Sequence, residues 1–398
     1  MTEAIAPETP PPGPSVGEGA RETARPEDAG SASPALARRM NPWLLGILFS
    51  VGIAAVMAVS LSSGYMPFTA REIWDILYLK FHGATLRFWE PLAACFPLPA
   101  AGLDESRILV LFEVRLPRLV TSLVAGAALG LSGAVFQGIL LNPLADPYTL
   151  GVSSGAAFGA SVVIVCTILF PAATALASPL APAAGAFAMS TVTLFVVMLL
   201  AADREGRLPP PNLILAGVIM SAILSAAISF IKYLAGDQVS SIIFWLLGSF
   251  QARTWTEAGI VFVFFVPAIF LTLPSAVDLN IMTLGVRSAE TLGVNTGKVR
   301  LRLLAAASVA ASASVAVAGI IGFVGLIVPH LVRLLAGPDH RSLIPLSTLG
   351  GALLLSAADT VVRAFLPGEI PVGVLTALLA GPAFLVIFRR KMKDLVHV

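Results

Sequence analysis

The chain has 398 residues, 57% of them hydrophobic and 12% charged, with a net charge of +2 and a mean hydropathy of +0.89. Soluble domains carry about 25% charged residues, so the solvent for most of this chain is lipid. Its long apolar runs must then be helices, because a backbone in hydrocarbon has to satisfy its own hydrogen bonds, and strand-like alternation, the mark of a barrel, is absent.

Residues 1–40 hold seven prolines, several acidic residues and few large apolar side chains, which predicts a disordered tail. The tail lacks the basic start and apolar core of a secretory signal. The rest, 41–398, reads as one membrane domain. Apolar runs predict spans near 43–63, 119–140, 148–170, 181–202, 212–234, 257–274, 303–320, 321–336, 345–366 and 371–388. The stretch 303–336 is too long for one helix and short for two, and Gly319, Gly322, Gly325 and Pro329 mark a turn or a broken helix there. The fold class expected is all-α, a polytopic membrane protein of about ten transmembrane helices.

Basic residues concentrate on the cytoplasmic side of short loops. Arg38 and Arg39 precede the first span, and Arg389, Arg390, Lys391 and Lys393 follow the last. Both termini then read as cytoplasmic, which requires an even number of spans and favours ten over nine. The loops with Arg204 and Arg207, with Arg287, Lys298, Arg300 and Arg302, and with Arg333 and Arg341 fall on the same side. The connection 64–118 lies outside on this topology, yet carries Arg71, Lys80, Arg87, Arg107, Arg115 and Arg118, an excess that implies a use. Residues 237–250 are apolar but too short to span, and suit a short re-entrant or interfacial helix on the outer face.

No catalytic constellation is visible. The nearest approach to a phosphate loop, Gly293 to Val299, has three residues between its glycines where four are needed, and Val299 stands where Ser or Thr should follow the lysine. His82, His330, His340 and His397 are dispersed and form no metal-spaced group, and Cys95 and Cys166 match no ligand or redox spacing. The chain is read as no enzyme, without cofactor or metal. Ionisable residues inside spans are scarce; Asp359 is the clearest, with Arg363 one turn later, and either an internal ion pair or a functional role fits it. A proton- or sodium-coupled carrier would carry more intramembrane carboxylates than this.

Several stretches taken together resemble the FecCD family of ATP-binding-cassette importer permeases, which includes cobalamin, ferric-siderophore and haem permeases. They are RLPR at 115–118, the small-residue run at 122–160, LILAGVIMSAI at 213–223, FWLLGSF at 244–250, GIIGFVGLIVPHLVRLL at 319–335 and PVGVLTALLAGPAFLVIF at 371–388. The resemblance implies a multi-pass subunit of the bacterial inner membrane that pairs with a second permease copy. Its further partners would be two cytoplasmic ATPase subunits, which bind the ATP and magnesium, and a periplasmic binding protein. It implies docking of that binding protein on Arg115, Arg118 and Arg363, the last of which Asp359 also claims. It implies an ATPase-coupling helix in the cytoplasmic segment 275–302 at Gly285, Arg287, Ala289, Glu290, Leu292 and Gly293, and a translocation path along Gly217, Ser221 and Ser225. The family's gate carries small hydroxyl residues where this chain has Pro209, Pro210, Pro211 and Asn212. The cargo expected is a ferric siderophore or similar iron chelate, with cobalamin or haem as alternatives; a receptor or scaffold without transport is the competing class.

Overall fold

The computed structural model describes residues 39–85, 104–170, 172, 178–366, 368 and 370–396. Residues 1–38 of the tail expected at 1–40, Cys95, His397 and much of the connection before 104 lie outside them. Every regular element among the described residues is helical. Membrane-length helices are α1 (Pro42–Ser62), α3 (Glu105–Ile139), α4 (Val152–Leu169), α5 (Ala181–Ala201), α6 (Pro210–Ala235), α8 (Trp255–Thr272), α11 (Thr296–Ala318) and α13 (His340–Phe365). Two shorter apolar elements, α12 (Val324–Ala336) and the apolar part of α14 (Val372–Val396), complete the expected ten. Between these run α2 (Ala70–Thr85), α7 (Val239–Leu246), α9 (Ala276–Met282) and α10 (Val286–Thr291).

Local chemistry sets the ends. Asn41, Asp104, Asn295 and Asp339 each accept a backbone N–H of the helix that follows. Thr254 and Glu257 form a reciprocal capping box on α8. Pro210 and Pro211 stand in the first turn of α6, where a missing N–H costs nothing.

α3 is the axis of the molecule. Nearly every residue from Leu116 to Ile139 is buried, with α13, α11, α12 and α8 packed around it. Hydrocarbon gives helices little hydrophobic reason to associate, so close backbone approach has to do it. A Cβ on Gly130 would lie 2.1 Å from the Ser347 carbonyl oxygen of α13, so only glycine permits this crossing. The sequence reading began this span at 119 and assigned 64–118 to an outer connection. The helix instead starts at Glu105 and runs through the arginines, with a π-helical stretch at Val110–Arg115. The arginines do not stop it because partners elsewhere in the fold satisfy them.

The ambiguous stretch 303–336 divides into α11 and α12. The chain turns at Gly319, with φ +74°, where a Cβ would be 2.4 Å from the Trp245 carbonyl oxygen, and α12 starts after Phe323, itself at φ +71°. Irregular backbone at membrane depth needs cover from protein. Ser249 N–H donates to the Ala318 carbonyl at 2.8 Å, Gly373 N–H to that of Gly248 at 3.3 Å, and the Tyr148 hydroxyl to that of Ile321. Three of the sequence motifs, at 244–250, 319–335 and 371–388, therefore meet at one junction.

Candidate functional site

α13 begins beside α9 and ends beside the last turn of α1, so its 26 residues separate two ends of the molecule by about 39 Å at 1.5 Å per residue. Each end carries a group of predicted residues.

At the α1 end, Arg118 Nε and Nη2 donate to the Asp359 carboxylate at 2.9–3.1 Å, both residues being buried. This fork joins α3 to α13. Arg115, one turn earlier, is also buried; its Nη1 donates to the Leu61 carbonyl at 2.6 Å and its Nη2 to that of Met66. Its guanidinium lies 4.7 Å from the centre of the Phe68 ring, and that of Arg107 lies 4.8 Å from it. Arg363, half-buried, donates to the Ser63 carbonyl at 3.0 Å and to the Ser60 hydroxyl at 3.0 Å. Arg115 and Arg363 flank Gly64: a Cβ there would sit 2.9 Å from Arg363 Nη1 and 3.2 Å from Arg115 Nη2. The structure thus gathers Arg115, Arg118 and Arg363 at one end of the molecule, Arg118 on the Asp359 carboxylate and the other two on the segment 60–68. Beyond them Arg107 pairs with Glu72 at 2.9 Å. The Glu72 carboxyl is held below its ordinary range by the backbone N–H and hydroxyl of Thr69, and Arg107 adds to this.

At the opposite end, Gly285 (φ +99°) and Gly293 (φ +86°) bracket α10. Ala289 faces inward, fully buried. Leu284, Val286 and Leu292 are exposed at 64%, 39% and 61%, and Arg287 and Glu290 are exposed beside them. Glu290 Oε1 accepts from the Thr296 hydroxyl at 3.1 Å, which fixes α10 to the start of α11. From α11, buried Arg300 donates to the Leu208 carbonyl at 2.7 Å, gripping the chain just before the prolines of α6. Pro210, Pro211, Leu215 and Val218 wall a groove of about 510 Å³.

The three residues expected along the path have different surroundings. Gly217 is buried, with a Cβ there only 2.2 Å from the Thr149 carbonyl oxygen. Ser221 is half-buried and Ser225 exposed. The exposed stripe of α6 runs through Leu215, Val218, Ala222, Ser225, Ser229 and Tyr233. No group of three metal-ligating side chains occurs among the described residues.

Residues 44–390 match the model of the FecCD transport family. The chain belongs to that family. It is 40% identical over 302 residues to the cobalamin import system permease BtuC of Halobacterium salinarum, covering 76% of this chain and 79% of that one. Identity is also 40% over 284 residues to the hemin transport system permease HmuU of Yersinia pestis, with 71% and 84% covered. Against the molybdate import system permease MolB of Haemophilus influenzae it is 34% over 353 residues, with 86% and 93% covered. A solved structure described as an inward-facing conformation of an ABC transporter assigned to the metal-chelate type superposes with a TM-score of 0.72 at 31% identity, covering 88% of this permease and 99% of that chain. The chain is a multi-pass ABC importer permease. The pairing of Arg118 with Asp359 is what residue patterns missed: 241 positions separate the two, and along the chain Arg118 fell in the outer connection while Arg363, one turn away, was the visible partner for Asp359.

Proposed function

We propose that this permease works as one of two copies importing a bulky iron chelate across the bacterial inner membrane, fed by a periplasmic binding protein and driven by two cytoplasmic ATPase subunits. The observation that carries the reading is the placement of the arginine group and of α10 at opposite ends of the same membrane-length helices. On this reading the arginines face the periplasm, and α10 and both termini face the cytoplasm.

Each end has the chemistry its role needs. Arg115 directs Nη1 and Nη2 to the neutral backbone carbonyls of Leu61 and Met66; an incoming carboxylate offers a stronger, charge-assisted and bidentate partner. Exposed Leu284, Val286 and Leu292 beside Arg287 and Glu290 give an ATPase groove an apolar anchor with a polar rim. The stripe of α6 through Ser225 lines the path when a second copy faces it, and the proline turn closes its cytoplasmic mouth. The iron chelate is supported by the metal-chelate type of the superposed structure and by the hemin permease; cobalamin is the second reading, favoured by the cobalamin relative.

Reversal of Arg115 and Arg363 to Glu tests docking. Affinity for the cognate binding protein should fall at least tenfold, and wild-type affinity should weaken with salt. Unchanged affinity refutes the docking assignment. The ligand retained by the purified binding protein names the cargo: an iron chelate supports the assignment, and cobalamin replaces it.

A further inference from the structure

We propose that the cavity at the α10 end is a headgroup site for an acidic phospholipid. The cavity, about 680 Å³, opens where the chain enters α1, where α3 and α12 end and where α13 begins; its wall includes Arg39, Gln137, Asn142, Arg333, Asp339 and His340. α1, α3 and α13 are membrane-length helices and the cavity sits at their ends, which places it at the depth of lipid headgroups.

Its two arginines lack a counter-ion among the described residues. Met40 N–H donates to the Leu335 carbonyl at 2.9 Å, which fixes Arg39 over the end of α12, with Nη1 3.3 Å from a Cβ built on Gly337. Arg333, in the last turn of α12, is half-buried. Neither arginine has an ion-pair partner among the described residues. The acid on the wall, Asp339, is already engaged: it accepts from Arg341 Nε and Nη2 at 3.0–3.3 Å, from the Arg341 N–H at 2.9 Å and from Asn280 Nδ2 at 2.7 Å. A half-buried guanidinium without an anion loses solvation and gains nothing in return.

The wall also holds two buried acceptors without donors. Asn280 points its Nδ2 at Asp339, so its Oδ1 must accept from both the His340 N–H at 2.9 Å and the His340 Nδ1 at 2.8 Å. Nδ1 therefore carries the proton, and Nε2 is a bare lone pair with no partner. Gln137 Nε2 donates to the Leu326 carbonyl at 3.0 Å, which leaves its Oε1 as an acceptor, also unpaired. Buried unpaired polar atoms are rare. A headgroup that joins an anionic phosphodiester to free hydroxyls supplies both missing components, the anion for the guanidinia and donors for the acceptors. An acidic glycerophospholipid brings both to this depth, and arginine forks bind phosphate well. The inference does not depend on the cargo.

The full chain in neutral detergent, titrated with dioctanoyl phosphatidylglycerol and followed by native mass spectrometry, tests the site. Binding should weaken on the order of tenfold or more in Arg333→Gln and Arg39→Gln, the loss expected for a charged hydrogen bond. It should be unaffected in Arg207→Gln, which alters an exposed arginine paired with Glu205. Dioctanoyl phosphatidylcholine, which lacks headgroup hydroxyls and is neutral overall, should bind at least tenfold more weakly than phosphatidylglycerol. Equal binding by wild type and Arg39→Gln overturns the site, and this variant keeps the test open if Arg333→Gln fails to fold. Inorganic phosphate competing as tightly as the lipid overturns the lipid assignment in favour of a soluble phosphate.

Discussion

Replacing Asp359 isolates the buried fork between α3 and α13. The carboxylate receives three hydrogen bonds from Arg118 at 2.9–3.1 Å, and the two side chains are 4% and 8% exposed. Asp359→Leu leaves a guanidinium buried without its anion, which costs about 3–5 kcal/mol. Asp359→Asn keeps one acceptor oxygen but loses the charge, so the cost is about 1.5–3 kcal/mol, the worth of a charged hydrogen bond. The double variant Arg118→Met/Asp359→Leu removes the unpaired charge altogether and should recover most of the loss, because desolvating a buried pair nearly offsets its attraction. Unfolding of detergent-solubilised protein followed by size-exclusion fluorescence, compared through a double-mutant cycle, reads these differences as ordered midpoints: Leu lowest, Asn above it, the double variant near wild type. A midpoint for Asp359→Leu equal to wild type, or a double variant as unstable as the single, would refute the account of the fork.

Gly130→Ala should cost several kcal/mol, since its Cβ would sit 2.1 Å from a backbone oxygen that cannot swing aside, whereas Gly259→Ala on α8, with nothing within 4 Å, should be neutral or gain about 0.5–1 kcal/mol; midpoints in detergent compare the two. Asp339 titrates at about 2, held down first by its bonds with Arg341. Because the folded form lies below the ordinary carboxylate value, its stabilisation is present above about pH 4 and is lost as the pH falls toward 2. The Asp339 side chain is 43% exposed and its field is screened by solvent, so the effect stays below about 1 kcal/mol, and Asp339→Asn should flatten that part of a stability–pH curve. Leu292→Glu, at a side chain 61% exposed, should leave the unfolding midpoint within about 0.5 kcal/mol of wild type yet abolish stimulation of the ATPase subunits. Ala289→Leu, at a fully buried site, should lower the midpoint itself.

The spans were legible because their physics is one-dimensional: a run of about 20 apolar residues admits only a helix in lipid. The weak stretch at 303–336 was flagged by its glycines, and Gly319 is where the chain turns. The start of α3 was misplaced because Arg107, Arg115 and Arg118 read as solvent-facing along the chain, while in space Glu72, the carbonyls of Leu61 and Met66, and Asp359 satisfy them. A residue's cost in a membrane depends on partners hundreds of positions away, and a linear pattern does not hold that information. The bracketed loop helix at 286–291 was expected from the family resemblance, but its inward Ala289 and outward Leu292 needed coordinates. Gly217 was expected along the path on resemblance; its close approach to Thr149 places it in the packing between α6 and the turn before α4.

The central claim of the proposed function is that energy entering at α10 moves cargo past this permease. Proteoliposomes holding the permease with its ATPase subunits and loaded binding protein test it directly, by uptake of labelled iron chelate with ATP present. The account predicts ATP-dependent uptake that disappears when 285–293 is exchanged for an unrelated linker, while the ATPase subunits still hydrolyse ATP. Uptake at the wild-type rate after that exchange would contradict it.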